Sequence, residues 1–238
     1  MPHASEAAIA QLLDELRNLT IDESLKKLAK DYSGSVTFST SFSLEDQVIT
    51  HLIAQSGADI SLFTLDTGRL FEQTYAVWEN TNAHFDIKLK GYYPDNIQVE
   101  KFLDEKGPNA FYSSVDNRKE CCYIRKVVPL KRALNGKQIW VTGLRAEHSV
   151  SREGLELLEW DEGNQLIKYN PLLHWSTDEV KAYMARFQIP YNTLHDKGFV
   201  SIGCEPCTRA IRDGESFRAG RWWWEDNSKK ECGLHIKQ

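Results

Sequence analysis

Nothing in this chain reads as a membrane anchor. No stretch is apolar for the roughly 20 residues that a bilayer span needs, and Met1 to Asn18 has neither the basic start nor the apolar run of a signal peptide. A cytoplasmic protein is therefore expected. Positive charge is also in deficit, with 29 Lys and Arg against 34 Asp and Glu for a net charge of -5. No global field attracts a polynucleotide, although local basic clusters can still hold a small anion. Internal repeats and low-complexity linkers are absent, and 238 residues suffice for one domain with a substantial core. Cysteine is sparse at five, and in a reducing compartment a paired pattern among so few points to metal or redox chemistry before structural disulfides.

The apolar periodicity is that of an α/β protein. Leu12, Leu13, Leu16 and Leu19 lie at helical spacing within Ala7 to Leu19, and Leu25, Leu28 and Ala29 repeat the pattern within Asp22 to Lys30. Strand-like Val36-Thr37-Phe38 leads through the polar turn Ser39 to Ser43 into a helix from Leu44 to Ala54, with Glu45 and Asp46 in its first turn. A second strand, Ile60 to Leu65, ends in Asp66-Thr67-Gly68-Arg69 and is followed by a helix from Phe71 to Asn82. Phe85 to Leu89 and Ile139 to Gly143 read as two more strands, and Lys119 to Leu134 and Ser176 to Phe187 as helices, the latter capped by Ser176. Alternating strands and helices predict a mainly parallel open sheet whose strand ends hold the ligand. Within that single domain, residues 1–34 are expected to form a helical N-terminal segment, 35–200 the ligand-holding α/β core, and 201–238 a cysteine-containing loop and loop-rich C-terminal tail.

The cysteines fall into two pairs and a singleton. Cys121-Cys122 lies near the start of a helix, and Cys204-Glu205-Pro206-Cys207 in a loop opened by Gly203. Four soft thiolates can complete a zinc site or an iron-sulfur cluster. Adjacent cysteines diverge on a helix, which suits two corners of a cubane better than two positions around one zinc ion. Buried thiols without metal are the plainer alternative, and a vicinal disulfide is disfavoured by strain and compartment. Cys232, in Glu231-Cys232-Gly233-Leu234-His235, stands apart in a polar tail. An exposed thiol there suits a nucleophile that meets a substrate and then a reductant, although a stray surface thiol has the same appearance.

Candidate anion sites are the Ser39 to Ser43 turn, with hydroxyls and N–H groups at a helix start, and the cations Lys126, Arg152, Arg218 and Arg221. Each has a simpler alternative as a helix cap or a solvated charge. Lys126 follows Cys122 by four residues and so shares roughly its helix face. Trp222-Trp223-Trp224 offers a base-stacking platform or, more simply, buried packing.

Taken in order, Ser39-Thr40-Ser41-Phe42-Ser43-Leu44-Glu45-Asp46, Leu65-Asp66-Thr67-Gly68-Arg69, Lys119-Glu120-Cys121-Cys122, Thr142-Gly143-Leu144-Arg145, Ile202-Gly203-Cys204-Glu205-Pro206-Cys207-Thr208-Arg209 and Lys230-Glu231-Cys232-Gly233-Leu234-His235 resemble the cluster-containing branch of the adenylyl-sulfate and phosphoadenylyl-sulfate reductase family. The resemblance runs from Val36 onward. It implies an adenine-nucleotide alpha-hydrolase-like fold, a 4Fe-4S cluster on Cys121, Cys122, Cys204 and Cys207, and Cys232 as nucleophile. It implies substrate contacts from Ser39, Ser41, Ser43, Leu65, Asp66, Thr67, Gly68, Lys126, Gly143, Arg152, Arg218, Arg221 and His235. Thioredoxin as reductant and a homodimer or homotetramer also follow from the resemblance.

The implied reaction is reduction of adenylyl sulfate to sulfite and AMP through a thiosulfonate on Cys232. Reduction of the 3'-phosphorylated nucleotide, or of both, stays open beside it, as does a metal-stabilised nucleotide-binding module without catalysis. A tRNA thiolase of the same broad fold is disfavoured. Ser41-Phe42-Ser43-Leu44-Glu45-Asp46 lacks the glycine pair and lysine of a Ser-Gly-Gly-Lys-Asp-Ser loop, and the acidic balance opposes tRNA.

Overall fold

The leucine-spaced N-terminal stretches form α1 (Pro2–Leu16) and α2 (Ile21–Asp31) in the computed structural model, which describes residues 2–148 and 154–225. Thr20 starts α2 with a capping box: its side chain accepts from the Glu23 N–H, and the Glu23 carboxylate accepts from the Thr20 N–H at 2.8 Å. The apolar face of α2 buries Leu25 and Leu28 completely, each stabilising by about 1.5–3 kcal/mol relative to exposure.

Six strands form one sheet in the order β3-β2-β1-β4-β6-β5, comprising β1 (Val36–Ser39), β2 (Ser61–Leu65), β3 (Lys90–Tyr92), β4 (Ile139–Val141), β5 (Leu158–Asp161) and β6 (Leu166–Tyr169). All neighbours pair in parallel except β5 with β6. The central strand β4, Ile139-Trp140-Val141, is apolar and buried on both faces, as a doubly covered parallel sheet requires. Phe38, Val141 and Tyr169 point into a core shared with α1, α2, α3 (Leu44–Ser56) and α8 (Thr177–Phe187). Phe63, Trp140 and Leu166 point to the opposite face, against Leu130, Ala133 and Leu134 of α7 (Val128–Leu134). The expected α/β class and mainly parallel sheet are thus observed. No helix among the described residues is long and apolar enough to cross a membrane.

Three local expectations change. Phe85 to Leu89 is not a strand: Phe85 ends α4 (Glu72–Phe85), Asp86 closes it in the left-handed region at φ 51°, and the ladder begins at Lys90. The Lys119 to Leu134 helix starts earlier, at Val115, where the Ser114 side chain accepts from Asn117 N–H. It comprises α6 (Val115–Cys122), a π-helical turn over Tyr123–Val127, and α7. The helix α5 (Asn96–Lys106) and the antiparallel β5–β6 pair are additions to the elements that the periodicity predicts.

Candidate active site

The winding reverses between β1 and β4, so their C-terminal ends open a crevice where doubly wound sheets bind ligands. A cavity of about 610 Å³ lies there, lined by Ser39 to Ser43 after β1, Leu65 and Thr67 after β2, and Thr142 to Leu144 after β4. Each loop is shaped by specific bonds. Phe42 adopts φ 61°, unusual for a non-glycine residue, and buries its ring against Val77 and Leu89. The strained backbone thereby turns the serines on either side along the cavity wall. The Asp46 carboxylate accepts from both the N–H and the hydroxyl of Ser41, at 2.7 and 2.8 Å, and Ser43 caps α3 by accepting from Asp46 N–H. Ser39 Oγ accepts from Trp140 Nε1 at 2.8 Å, which leaves its own hydrogen available. Gly143 passes so close to Asp46 Oδ1 that a Cβ there would overlap it.

Burial pushes Asp46 up to about 6; the two Ser41 donors oppose the rise and neighbouring Glu45 adds to it. Glu45 is fixed by the buried Arg145, whose Nε donates to it at 3.0 Å, and Arg145 also pairs with Glu147 at 2.5 Å. His195, on the same cavity wall, is held low by desolvation.

The remaining wall is cationic and leads to the cysteines. Lys126, Arg218 and Arg221 line the cavity together with Cys204. Lys126 and Cys204 also line a second, smaller void, shared with Cys121, Cys122 and Cys207. All four cysteines are free thiols, so no vicinal disulfide forms. Burial pushes Cys207 up to about 12, with Cys204 adding to the rise. Thr67 Oγ1 lies 3.2 Å from Cys204 Sγ, and the Arg69 carbonyl accepts from Glu205 N–H at 2.8 Å. The turn after β2 is therefore stitched to the cysteine loop. Arg221 crosses over Gly203, where a Cβ would overlap its guanidinium. Among the described residues, no three carboxylate, imidazole or thiol groups converge closely enough to hold a single metal ion.

Of the substrate residues expected from sequence, Ser39, Ser41, Ser43, Leu65, Thr67, Lys126, Gly143, Arg218 and Arg221 meet at this cavity. Asp66 lies behind the wall, where its carboxylate accepts from Gly68 N–H at 2.8 Å and the Tyr75 hydroxyl at 2.9 Å. Gly68 itself is in the left-handed conformation that this turn uses. Arg152, Cys232 and His235 lie outside the described residues. Sequence reasoning missed Glu45, Asp46, Thr74, Glu159 and His195 on the cavity wall. The only local signal at Glu45 and Asp46 is that of first-turn helix charges.

Fold and site together define a nucleotide-binding α/β protein with a cysteine centre beside its ligand cavity. The chain belongs to the phosphoadenosine phosphosulfate reductase domain family, whose model matches residues 35–210. It is 46% identical over 233 residues to an adenosine 5'-phosphosulfate reductase of Sinorhizobium fredii, covering 98% of this chain and 92% of that one. It is 48% identical over 204 residues to the enzyme of the same name from Allochromatium vinosum, covering 86% and 80%. Among solved structures, a phosphoadenylyl-sulfate reductase from Candida auris in a phosphate complex superposes with a TM-score of 0.72 at 29% identity, covering 85% of this chain and 96% of that one.

Proposed function

We propose that this chain reduces adenylyl sulfate to sulfite and AMP in sulfate assimilation, with Cys232 as nucleophile and thioredoxin as reductant. The observation that carries this reading is the shared wall. Lys126 and Cys204 face both the nucleotide-sized cavity and the void among the four cysteines, so a phosphosulfate anion drawn to Lys126, Arg218 and Arg221 would lie beside the cysteine centre. The curated relatives named as adenosine 5'-phosphosulfate reductases support the choice of the unphosphorylated nucleotide.

In the proposed first step the Cys232 thiolate attacks the sulfur of adenylyl sulfate. A sulfur–sulfur bond forms as the sulfur–oxygen bond to the phosphate breaks, AMP leaves with the electron pair, and Cys232 carries a thiosulfonate. A thioredoxin thiolate then attacks the Cys232 sulfur and expels sulfite, leaving a mixed disulfide. The second thioredoxin thiol resolves it, restoring the Cys232 thiolate and leaving oxidised thioredoxin, a two-electron balance. Lys126, Arg218 and Arg221 hold the sulfo and phosphate charges, and Arg152 and His235 complete the assigned set.

Cys121, Cys122, Cys204 and Cys207 would hold a 4Fe-4S cluster. Their chemistry fits it: four free thiols, mostly buried, spread around one void and not converging on one point. That arrangement favours several iron corners over a single zinc ion. When bound, such a cluster supplies a thiolate-ligated charge centre next to Lys126.

The test is intact-mass analysis of anaerobically purified protein mixed with adenylyl sulfate before reductant is added. A sulfo adduct mapping to Cys232 is expected, and Cys232→Ser should bind nucleotide, keep its iron and release no sulfite on adding thioredoxin. An adduct on another cysteine, or near-normal sulfite release by the serine variant, would overturn the assignment.

A further inference from the structure

Trp222 is 1% exposed and sits at φ 41°, a backbone conformation that a bulky residue keeps only where its surroundings over-determine it. Three guanidinium carbons face its ring: Arg118 at 4.6 Å, Arg221 at 4.8 Å and Arg218 at 5.8 Å. Its backbone N–H donates to the Cys207 carbonyl at 3.1 Å, and its side chain packs in one buried cluster with Cys122, Cys204 and Cys207. Arg118 is matched by Glu225 through bonds of 2.9 and 2.7 Å, with both side chains buried. That pair pins the ring from the side of the cysteine helix.

Arg221 is held differently. Among the described residues its buried Nε has no hydrogen-bond partner, and Nη1 reaches only the Ile202 carbonyl, at 3.4 Å. A guanidinium with so few bonds takes its position from what it lies against, here the Trp222 ring and the bare Cα of Gly203. The negative face of the ring attracts the cation without consuming its N–H donors, which leaves those donors for an anion in the cavity.

We propose that Trp222 is a positioning residue for the substrate anion: its ring sets the Arg221 and Arg218 guanidiniums at the cavity wall and ties their placement to the cysteine loop. This rests on the assignment of those two arginines to the phosphosulfate made above.

The experiment replaces Trp222 by tryptophans carrying one to four ring fluorines, which drain the negative face while keeping the shape, alongside Trp222→Leu and Arg221→Ala. Calorimetric affinities for AMP and adenosine, KM and kcat for adenylyl sulfate, and iron content are measured on protein with its cysteine site loaded. AMP affinity should fall stepwise with fluorine number, by about tenfold across the series. KM should rise in step, while adenosine affinity and iron content stay level. Trp222→Leu should show the same selective loss in a single step. AMP affinity independent of fluorination, or AMP and adenosine weakened equally, overturns the proposal. If Arg221→Ala itself leaves AMP affinity unchanged, the assignment of the arginine fails as well; if it weakens AMP while the fluorine series does not, only the role of Trp222 fails.

Discussion

Replacing the buried Asp46 by asparagine should remove a pH dependence from the stability of the protein. Asp46 is raised from 3.8 to about 6, chiefly by burial. Below about 4, folded and unfolded chains both carry the proton and burial costs nothing extra. Between about 4 and about 6 the unfolded chain releases its proton while the folded chain keeps it. Stability therefore falls as pH rises through this window and levels off above it. A rise of about 2 units corresponds to about 3 kcal/mol. The side-chain amide introduced by Asp46→Asn does not titrate, and its carbonyl oxygen can still accept both Ser41 donors, so the loop geometry survives. Urea unfolding of wild type and variant at matched pH values from 4 to 7.5 isolates the effect, because all other titrations cancel in the difference. The variant should gain about 3 kcal/mol relative to wild type between the acidic and neutral ends. Parallel stability curves would refute the reasoning and place Asp46 in contact with water or an unrecognised cation.

Cys204→Ser should lose iron and acid-labile sulfide, since a hydroxyl is a poor ligand for iron; wild-type contents would remove Cys204 from the cluster set. Lys126→Ala should cut turnover while keeping iron content, because the lysine faces the cysteine void without being one of its ligands; steady-state kinetics beside iron analysis decide it, and unchanged kinetics at limiting adenylyl sulfate would make Lys126 a bystander. Gly203→Ala should weaken AMP several-fold and leave adenosine alone, because the added Cβ displaces the Arg221 guanidinium and not the backbone; calorimetry with both ligands checks this.

The fold was legible where local chemistry and periodicity agree. Val36 to Phe38, Ile60 to Leu65 and the helices capped by Thr20, Ser43 and Ser176 carry their boundaries in the residues themselves. Leu158 to Asp161 and Leu166 to Tyr169 were not legible, because each strand is short and their connection turns at Gln165, with φ 55°, in place of a glycine. Phe85 misled for a related reason: it is the last residue of a helix that Asp86 closes, yet with Ile87 and Leu89 it mimics the alternation of a strand. Within the site, the cysteine pairs were visible as spacing. The bonds that join them to the turn after β2, from Thr67 to Cys204 and from Glu205 to Arg69, span 137 and 136 residues and leave no local trace.

The π-helical turn shows how this junction is built. In a regular α-helix each residue advances by about 100°, so three in succession cannot all face one side. Over Tyr123–Val127 the ladder is widened by one residue, with Val128 N–H donating to the Tyr123 carbonyl, a distortion that recurs at functional sites. Three consecutive side chains are put to use there. Ile124 packs with Phe102 and Ala110, Arg125 donates to the Thr67 carbonyl at 2.7 Å, and Lys126 reaches both the cavity and the cysteine void. Helical spacing from Cys122 was enough to place Lys126 near the cysteines. From the widened turn Arg125 braces the turn after β2, so that turn and the helix that carries two of the four cysteines are held by one element.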